Sequence, residues 1–202
     1  KRITGRKGMN VLFVDVDTTR ADHIGCYGHP VVKTPHIDRF ASQGVRFETC
    51  VSSAPLTLVS HATMMTGSYQ YVHGARDNGM FSLADPNVTL AEIFKAAGYQ
   101  TAAEVATVIL NPKYGLDQGF EEYGRVEDEV PKGRMMGGED LRLEDTTGPE
   151  KISPALAELD RKAADITDHG IEHLRRFKGS DKPFFMWLHY YDPHWPHEAP
   201  IE

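Results

Sequence analysis

Residues 10–17 read NVLFVDVD and decide the fold of this chain. The first seven of them are a short, continuous apolar run rich in β-branched side chains, and such a run predicts a buried strand. Two carboxylates, Asp15 and Asp17, stand at the end of this strand. We expect them to share one face, because alternate residues of a strand point to the same side.

A second apolar run, PFFMWLH at residues 183–189, predicts another buried strand. Strand and helix patterns alternate between the two runs, which predicts an α/β fold with a largely parallel or mixed sheet. Ligands of such sheets bind beyond the carboxyl ends of the strands. Residues 189–194, HYYDPH, follow the second run, so we expect them beside Asp15 and Asp17.

Capping and turn residues predict the remaining elements. Thr89 and Glu92 form a capping box, and the helix that it starts runs to about Gly98. Residues 121–150 hold ten acidic and four basic residues without periodicity, which predicts an acidic loop or insertion. The other predicted elements are helices that open at Thr34-Pro35, Thr57 and Ser153-Pro154 and end at Gly44, Gly67 and Gly179, and strands at Val45–Phe47 and Tyr99–Val105.

Length and composition restrict the class of protein. A chain of 202 residues can bury one sizeable core, so we expect a single domain. The net charge of −7 without a basic patch argues against nucleic-acid binding, and no run of 18 apolar residues indicates a membrane span. No signal peptide is predicted in KRITGRKGMN at residues 1–10, and the compartment stays open. Cys26 and Cys50 lack metal-site spacing, so we expect buried free thiols.

The stretch SAPLTLVSHATMMTG at residues 53–67 bears most directly on function. A turn-forming Ser-Ala-Pro precedes Thr57, and an apolar helical pattern follows it. The Thr57 hydroxyl therefore lies at or near the first turn of a helix, where unpaired N–H groups and the helix dipole favour negative charge. Together with the acids at the strand end, it suggests metal-assisted hydrolysis of an anionic ester. The alternatives are that Thr57 is only the N-cap of the helix, or that Ser60 is the nucleophile.

Five segments, in this order, resemble the sulfatase family of the alkaline phosphatase superfamily. The resemblance covers nearly the whole chain and implies an α/β/α sandwich, of which residues 1–202 would be the N-terminal part of one catalytic domain. It also implies an anionic ester substrate, a divalent metal ion, and the remainder of the domain as a partner in the same or a second chain. The segments are NVLFVDVDTTRADHIGCYG, TPHIDRFASQGVRF, the Thr57 stretch, VHGARDN and PFFMWLHYYDPHWPHEAP.

The resemblance assigns roles residue by residue. Asp17 matches the family's N-terminal metal ligand, and Thr57 matches the metal-bound nucleophile, with Asp15 as a further candidate ligand. Asn78 has the offset of the oxyanion-holding Asn of the phosphodiesterase and phosphonate-hydrolase branch, and His194 matches a substrate-contacting His that we assign to catalysis. The oxygen ligands favour Ca²⁺, with Mg²⁺, Mn²⁺ or Zn²⁺ as alternatives. Further expected substrate contacts are His61, Arg76 and His189.

The chain departs from the sulfatase pattern at three places. True sulfatases carry Cys or Ser at the position of Thr57 and convert it to formylglycine. Threonine cannot mature in this way, but it is the nucleophile in related phosphodiesterases and phosphoethanolamine transferases. Thr18 replaces the second Asp of many sulfatases. Residues 104–108, EVATV, replace a Gly-Lys-Trp-His element whose Lys and His help bind sulfate.

These features together predict a metal-dependent hydrolase of sulfate, phosphate or phosphonate esters with a threonine nucleophile. The departures favour phosphorus esters, whereas the overall resemblance keeps sulfate esters open. The alternative is a non-catalytic sulfatase-like domain that binds an anionic ligand or a partner. Plainer explanations of single residues also stand: a structural strand-end acid for Asp15, turn chemistry for Asn78, an ion pair with Asp77 for Arg76, and a half-exposed surface position for His61.

Overall fold

The computed structural model describes residues 8–126 and 160–195. Four parallel strands form one sheet in these residues, in the order β1-β4-β2-β3. The strands are β1 Val11–Val16, β2 Gln100–Glu104, β3 Glu122–Gly124 and β4 Phe184–Tyr190. The helices are α1 Pro35–Gln43, α2 Thr57–Thr66, α3 Gln70–His73, α4 Leu90–Ala96 and α5 Ala163–Phe177. The predicted α/β fold with a parallel sheet is confirmed.

Helices cover both faces of this sheet. A first buried cluster joins α2 to β2 and β4 and includes Leu58, Met65 and Trp187. A second buried cluster joins α5 to the same two strands and includes Ile166 and Met186. Burying a side chain of this size contributes about 1.5–3 kcal/mol, so these two clusters hold the strand ends, and the polar residues beyond them, in fixed positions.

Strand β1 lies at one edge of the described sheet, paired with β4. Leu12, Val14 and Val16 alternate with inward residues and are 48%, 47% and 38% exposed. The prediction of a fully buried strand is therefore wrong for this face. The physical reason is the position of α5, which packs on β4 and β2.

Three predicted element boundaries are corrected. Residues 45–47 form no strand, because no neighbouring strand pairs with them and their side chains point into water, Val45 being 83% exposed. Residues 122–124 of the expected acidic loop form β3 instead, held by pairing with β2. Helix α5 begins only at Ala163, after the non-helical residues 160–162. The predicted helix start at Ser153 and most of the acidic loop lie outside the described residues.

The helix start predicted at Thr89 and the helix end predicted at Gly67 agree with the structure. Thr89 and Glu92 form both hydrogen bonds of the capping box, and α2 ends at Gly67 in the left-handed conformation that favours glycine. Cys26 and Cys50 are free, as predicted, but neither is buried. No helix within residues 8–126 and 160–195 combines the length and apolar content needed to cross a bilayer.

Candidate active site

The site is built where the end of β1 meets the start of α2. The Thr57 hydroxyl donates to Asp17 Oδ2 at 3.3 Å. Thr57 is the first residue of α2 and Leu56 is its N-cap, so the N-cap alternative for Thr57 is wrong. The rival nucleophile Ser60 donates its hydroxyl to the Thr57 carbonyl at 3.1 Å. Thr57 is therefore the hydroxyl that the fold brings to the acid at the strand end.

Asn78 lies at the same end of α2. Its Oδ1 accepts a hydrogen bond from the backbone N–H of Leu58 at 2.9 Å, which satisfies one of the free donors of the helix. Turn chemistry alone does not require this contact. Arg76 is exposed two residues earlier, and no ion pair joins it to Asp77 within the described residues, so that alternative is wrong. The side-chain amide of Asn78 offers its NH₂ group next to Thr57.

Asp15 and His61 form a buried pair behind the nucleophile. His61 Nε2 lies 2.5 Å from Asp15 Oδ2, and His61 Nδ1 lies 2.6 Å from the Thr57 carbonyl oxygen. Trp187 donates its indole N–H to Asp15 Oδ1 at 2.7 Å. Burial alone would lower the pKa of His61, but its two acceptors outweigh burial and raise that pKa, so both ring nitrogens carry protons. The expectation of a half-exposed His61 is wrong, since only 3% of it is exposed.

His189 sits on the other side of Asp17 and is fully buried. Its Nδ1 accepts a hydrogen bond from the Ala106 backbone N–H at 3.2 Å, so the proton of the neutral ring is on Nε2. This Nε2 faces Asp17 Oδ2 at 3.4 Å. Burial would raise the pKa of Asp17, but His189, His61 and His194 lower it instead, so Asp17 is a carboxylate at neutral pH.

Thr18, directly after Asp17, has a φ of +56°. This left-handed conformation is unfavourable for a β-branched residue, and non-glycine residues held in it cluster at functional sites. The backbone N–H of Asp17 bonds the Tyr190 carbonyl at 2.8 Å, so bonding to β4 continues up to the residue before Thr18, and the chain turns at residues 17–18.

His194 lies beyond β4, with its ring stacked on Tyr191 at 4.3 Å between centroids. Its Nδ1 lies 2.7 Å from the Trp195 carbonyl oxygen. Its ring is half-buried, so Nε2 can meet a bound molecule.

The donor set fits a divalent cation. Ligand atoms of Asp15, His61 and His189 all lie within 4.8 Å of one another, and these three residues could hold a metal ion once His61 and His189 lose their Nε2 protons. Asp17 and Thr57, which the sequence predicts as metal ligands together with Asp15, are not among these three residues, but they contact each other at 3.3 Å. Asp15 is balanced by charged His61, whereas the partners of Asp17 are a hydroxyl and a neutral imidazole, so negative charge remains for a cation to neutralise.

Sequence reasoning missed four residues at this end of the sheet. The sequence predicts a strand that includes Trp187 but no role for its side chain, because the hydrogen bond from Trp187 to Asp15 depends on the pairing of β1 with β4. Thr107 follows β2, Tyr191 follows β4, and the bond from the Arg161 N–H to the Ala106 carbonyl brings Asp160 to the same end of the sheet. No signal in the chain could have found them, because they come from three separate segments.

The profile of the sulfatase family matches residues 9–202. The chain belongs to the sulfatase family. It is 27% identical over 190 residues to an N-acetylglucosamine-6-O-sulfatase of Bacteroides thetaiotaomicron, an alignment that covers 93% of this chain and 31% of the relative. The chain thus spans about a third of the length of this curated relative.

Solved structures agree with this membership. A protein solved with its substrate D-glucosamine-2-N,6-O-disulfate superposes with a TM-score of 0.68 and 25% identity, over 93% of this chain and 35% of that one. A phosphonate monoester hydrolase of Agrobacterium radiobacter superposes with a TM-score of 0.68 and 23% identity, over 96% and 42%. The second similarity shows the fold alone. The fold is that of the alkaline phosphatase superfamily, and the described sheet is a part of it.

Proposed function

We propose that the full-length protein is a metal-dependent hydrolase of sulfate, phosphate or phosphonate esters, with Thr57 as the nucleophile. The observation that carries this proposal is the contact of the Thr57 hydroxyl with Asp17 at the first residue of α2. An oxyanion transferred to Thr57 would face the free N–H groups and positive dipole end of the helix. Family membership supports ester hydrolysis in general.

Asp17, Asp15 and Thr57 would hold the metal ion, and His61 or His189 would join them only after losing the proton on Nε2. A set dominated by oxygen favours Ca²⁺, while a histidine ligand would favour Zn²⁺ or Mn²⁺. When bound, the ion supplies a lowered pKa for the Thr57 hydroxyl and neutralises part of the ester's charge.

The other side chains bind and orient the ester. Asn78 donates its amide NH₂ group to an oxygen of the reacting centre, as an oxyanion-hole residue does. His61, buried and charged, presents a positive charge close behind Thr57 and balances Asp15. We assign His194 to direct contact with substrate and the exposed Arg76 to attraction of the anionic ester, whereas His189 is fully buried and acts through Asp17.

The substrate class follows from the reacting group. Threonine in place of the formylglycine precursor, together with Asn78, favours phosphate or phosphonate esters. Membership of the sulfatase family favours sulfate esters. A transfer to an acceptor other than water would use the same residues.

The remainder of the catalytic domain is the partner that we propose for the open side of the sheet. Leu12, Val14 and Val16 form an exposed apolar row on an edge strand, which favours association with further structure. Residues 1–202 produced alone should self-associate. A monodisperse monomer with a single cooperative melting transition would contradict this expectation.

The alternative is a non-catalytic domain that binds an anion. Thr57 in place of Cys or Ser favours it, since the usual maturation is impossible. Such a domain would bind anionic esters at the start of α2 without turning them over.

The test compares hydrolysis of 4-nitrophenyl sulfate, phosphate, phenylphosphonate and a phosphate diester by the full-length protein, with and without Ca²⁺, Mg²⁺, Mn²⁺ or Zn²⁺. We expect Thr57→Ala to lose activity by about 10⁴-fold or more, because the attacking oxygen is gone. Thr57→Ser should retain part of it. Thr66→Ala, which removes a hydroxyl at the far end of α2, is the matched control and should remain active. Activity that survives Thr57→Ala refutes the nucleophile, and an inactive wild type favours the binding domain.

A further inference from the structure

A buried histidine that takes no part in the proposed reaction lies between α2 and the loop that carries Asn78. His73 is the last residue of α3 and is 2% exposed. Its Nδ1 accepts a hydrogen bond from the backbone N–H of Ala75 at 3.2 Å, and its Nε2 lies 3.1 Å from the Thr63 hydroxyl oxygen. The ring therefore joins the start of this loop to the helix that begins with Thr57.

The contacts of Thr63 fix the position of the proton on the ring. Thr63 donates its hydroxyl to the Val59 carbonyl at 3.1 Å, and its oxygen accepts a hydrogen bond from the Ser53 hydroxyl at 3.0 Å. Because the one proton of the hydroxyl goes to Val59, Thr63 accepts from His73 Nε2. The proton of the ring is therefore on Nε2, and Nδ1 is an unprotonated acceptor. These contacts require the neutral form of the imidazole.

The groups that contact His73 are uncharged. Thr63 meets the ring with a hydroxyl, and Asn87 donates its side-chain amide to the His73 carbonyl at 3.2 Å. Within residues 8–126 and 160–195, no ionisable side chain forms a hydrogen bond or an ion pair with the ring, and burial alone lowers its pKa from the ordinary 6.5. The ionisable residues on the segments around it are His61 on α2, Tyr71 on α3, Arg76 and Asp77 on the following loop, and Asp85 near Asn87.

The positions of these ionisable residues agree with this absence of contacts. Tyr71, Arg76, Asp77 and Asp85 are exposed. His61 lies two residues before Thr63, so the two side chains project from opposite sides of α2. No carboxylate is therefore placed to stabilise a protonated His73.

Protonation of Nδ1 would break the bond to Ala75. Two N–H groups would then face each other across 3.2 Å, and the N–H of the fully buried Ala75 would lose its acceptor, which is costly. Asn78 follows Ala75 by three residues, and its Oδ1 accepts the hydrogen bond from the Leu58 N–H. The bond to His73 thus holds one end of a short loop whose other end lies beside the proposed nucleophile.

We propose that neutral His73 is a positioning residue, which holds the loop so that the Asn78 amide meets the anionic ester, and that acid releases this loop by protonating the ring. The proposal rests on the ester hydrolysis proposed above and gives that activity an acid limit. Because the pKa of His73 is below 6.5, the loop is held at neutral pH. Once the pH is below that pKa, the neutral fraction falls about tenfold per pH unit, and kcat/KM should fall with it.

The experiment replaces the two ring nitrogens separately. His73→Asn puts an amide oxygen that does not titrate near the position of Nδ1, whereas His73→Gln puts its amide near the position of Nε2 and leaves Ala75 without an acceptor. We measure kcat/KM of the full-length enzyme between pH 8 and pH 5 on the 4-nitrophenyl ester that it hydrolyses best. His73→Asn should match wild type at pH 8 and exceed it by about three- to tenfold at pH 5. His73→Gln should lose about tenfold or more at pH 8, because Asn78 is no longer held.

Two further variants serve as controls. His36→Asn replaces an exposed histidine on α1 and should keep the wild-type pH profile. In the Asn78→Ala background, His73→Asn should bring no gain at pH 5, because the residue through which His73 acts is absent. A gain that persists there would overturn the positioning role.

Hydrogen exchange separates this inference from the proposed hydrolysis, because it needs no substrate. Protection of the amides of residues 74–78, corrected for intrinsic exchange rates, should fall between pH 7 and pH 5 in wild type and stay constant in His73→Asn. A wild type whose protection does not change with pH overturns the inference without any variant. An active enzyme with the same acid limb in wild type and His73→Asn also overturns it and leaves the hydrolase standing. An inactive wild type refutes the hydrolase, and protection that still falls in wild type alone then supports the contact of His73 with the loop.

Discussion

Two buried acid–histidine pairs lie on opposite faces of the sheet. On the α2 face, Asp15 meets His61 Nε2 at 2.5 Å. On the α5 face, Glu104 Oε1 meets His173 Nε2 at 2.6 Å. Both histidines are almost fully buried, and both acids have pKa values held below the ordinary range, because their partners outweigh burial.

The pairs differ in what else surrounds them. Glu104 Oε2 also meets the guanidinium of Arg161 at 2.7 Å, so a permanent cation neutralises it. Asp15 has the indole of Trp187 as its second partner, and a second carboxylate, Asp17, stands two residues later. The two clusters therefore differ in charge balance. In the Glu104 cluster, Arg161 neutralises the carboxylate, and we assign this cluster to structure. The cluster of Asp15, His61 and Asp17 retains negative charge, and we assign it to function.

The largest expected effect is on the stability that the Glu104 cluster contributes. Glu104→Gln removes the buried carboxylate that Arg161 and His173 contact, so we expect a loss of about 3–5 kcal/mol in the free energy of unfolding. Denaturation in urea measures it. Glu122→Gln is the matched control, because that acid pairs with Arg176 at the surface and should cost less than about 1 kcal/mol.

The stabilisation that Glu104 contributes depends on pH in a definite direction. The folded pKa of Glu104 lies below its ordinary value of 4.5, so its stabilisation is present above that pH and is lost as the pH falls through the folded pKa. A variant as stable as wild type would show that the α5 cluster contributes nothing.

The next largest effect concerns metal binding by the cluster of Asp15, His61 and Asp17. A divalent ion at about 100 times its dissociation constant should raise the free energy of unfolding of the full-length protein by about 2.7 kcal/mol. A chelator should reverse this change, and Asp17→Asn should abolish it. Melting curves with each ion give the measurement. A shift that persists in Asp17→Asn would place the ion elsewhere.

Asp160→Asn should stabilise the protein at high pH. The folded pKa of Asp160, about 7, is above its ordinary value of 3.8, so ionisation destabilises the folded state as the pH rises between these values. We expect a gain of about 2 kcal/mol at pH 8, half of what the full shift would give, because the side chain is partly screened by water. At pH 4 the variant and wild type should be equal. The same gain at both pH values would mean that the carboxyl group is not the cause.

The smallest effect is expected at Thr18. Asparagine tolerates the left-handed conformation better than threonine, so Thr18→Asn should raise the free energy of unfolding by about 0.5–1 kcal/mol. Thr19→Asn next to it is the control and should gain nothing. A loss of stability in Thr18→Asn would show that the threonine side chain has a contact worth more than the strain.

Local patterns in the sequence predicted most of the elements. The apolar runs over residues 10–16 and 183–189 became β1 and β4, and the capping box at Thr89 started α4. Each of these signals involves residues a few positions apart, so it can be recognised in the sequence before the fold is known. The strand predicted at residues 45–47 failed because a strand needs a partner, and no local pattern supplies one.

The sequence by itself determined the family, the α/β fold, and the positions of Asp17 at a strand end and Thr57 at a helix start, since strand ends and helix starts are local features. Only the tertiary structure decided which groups share a charge. The pairing of Asp15 with His61 joins residues 46 positions apart, and the bond from the Arg161 N–H to the Ala106 carbonyl brings Asp160 to the end of β2 from 54 positions away. Burial and charge neighbours set the protonation of these groups, and both arise only when distant strands and helices pack together.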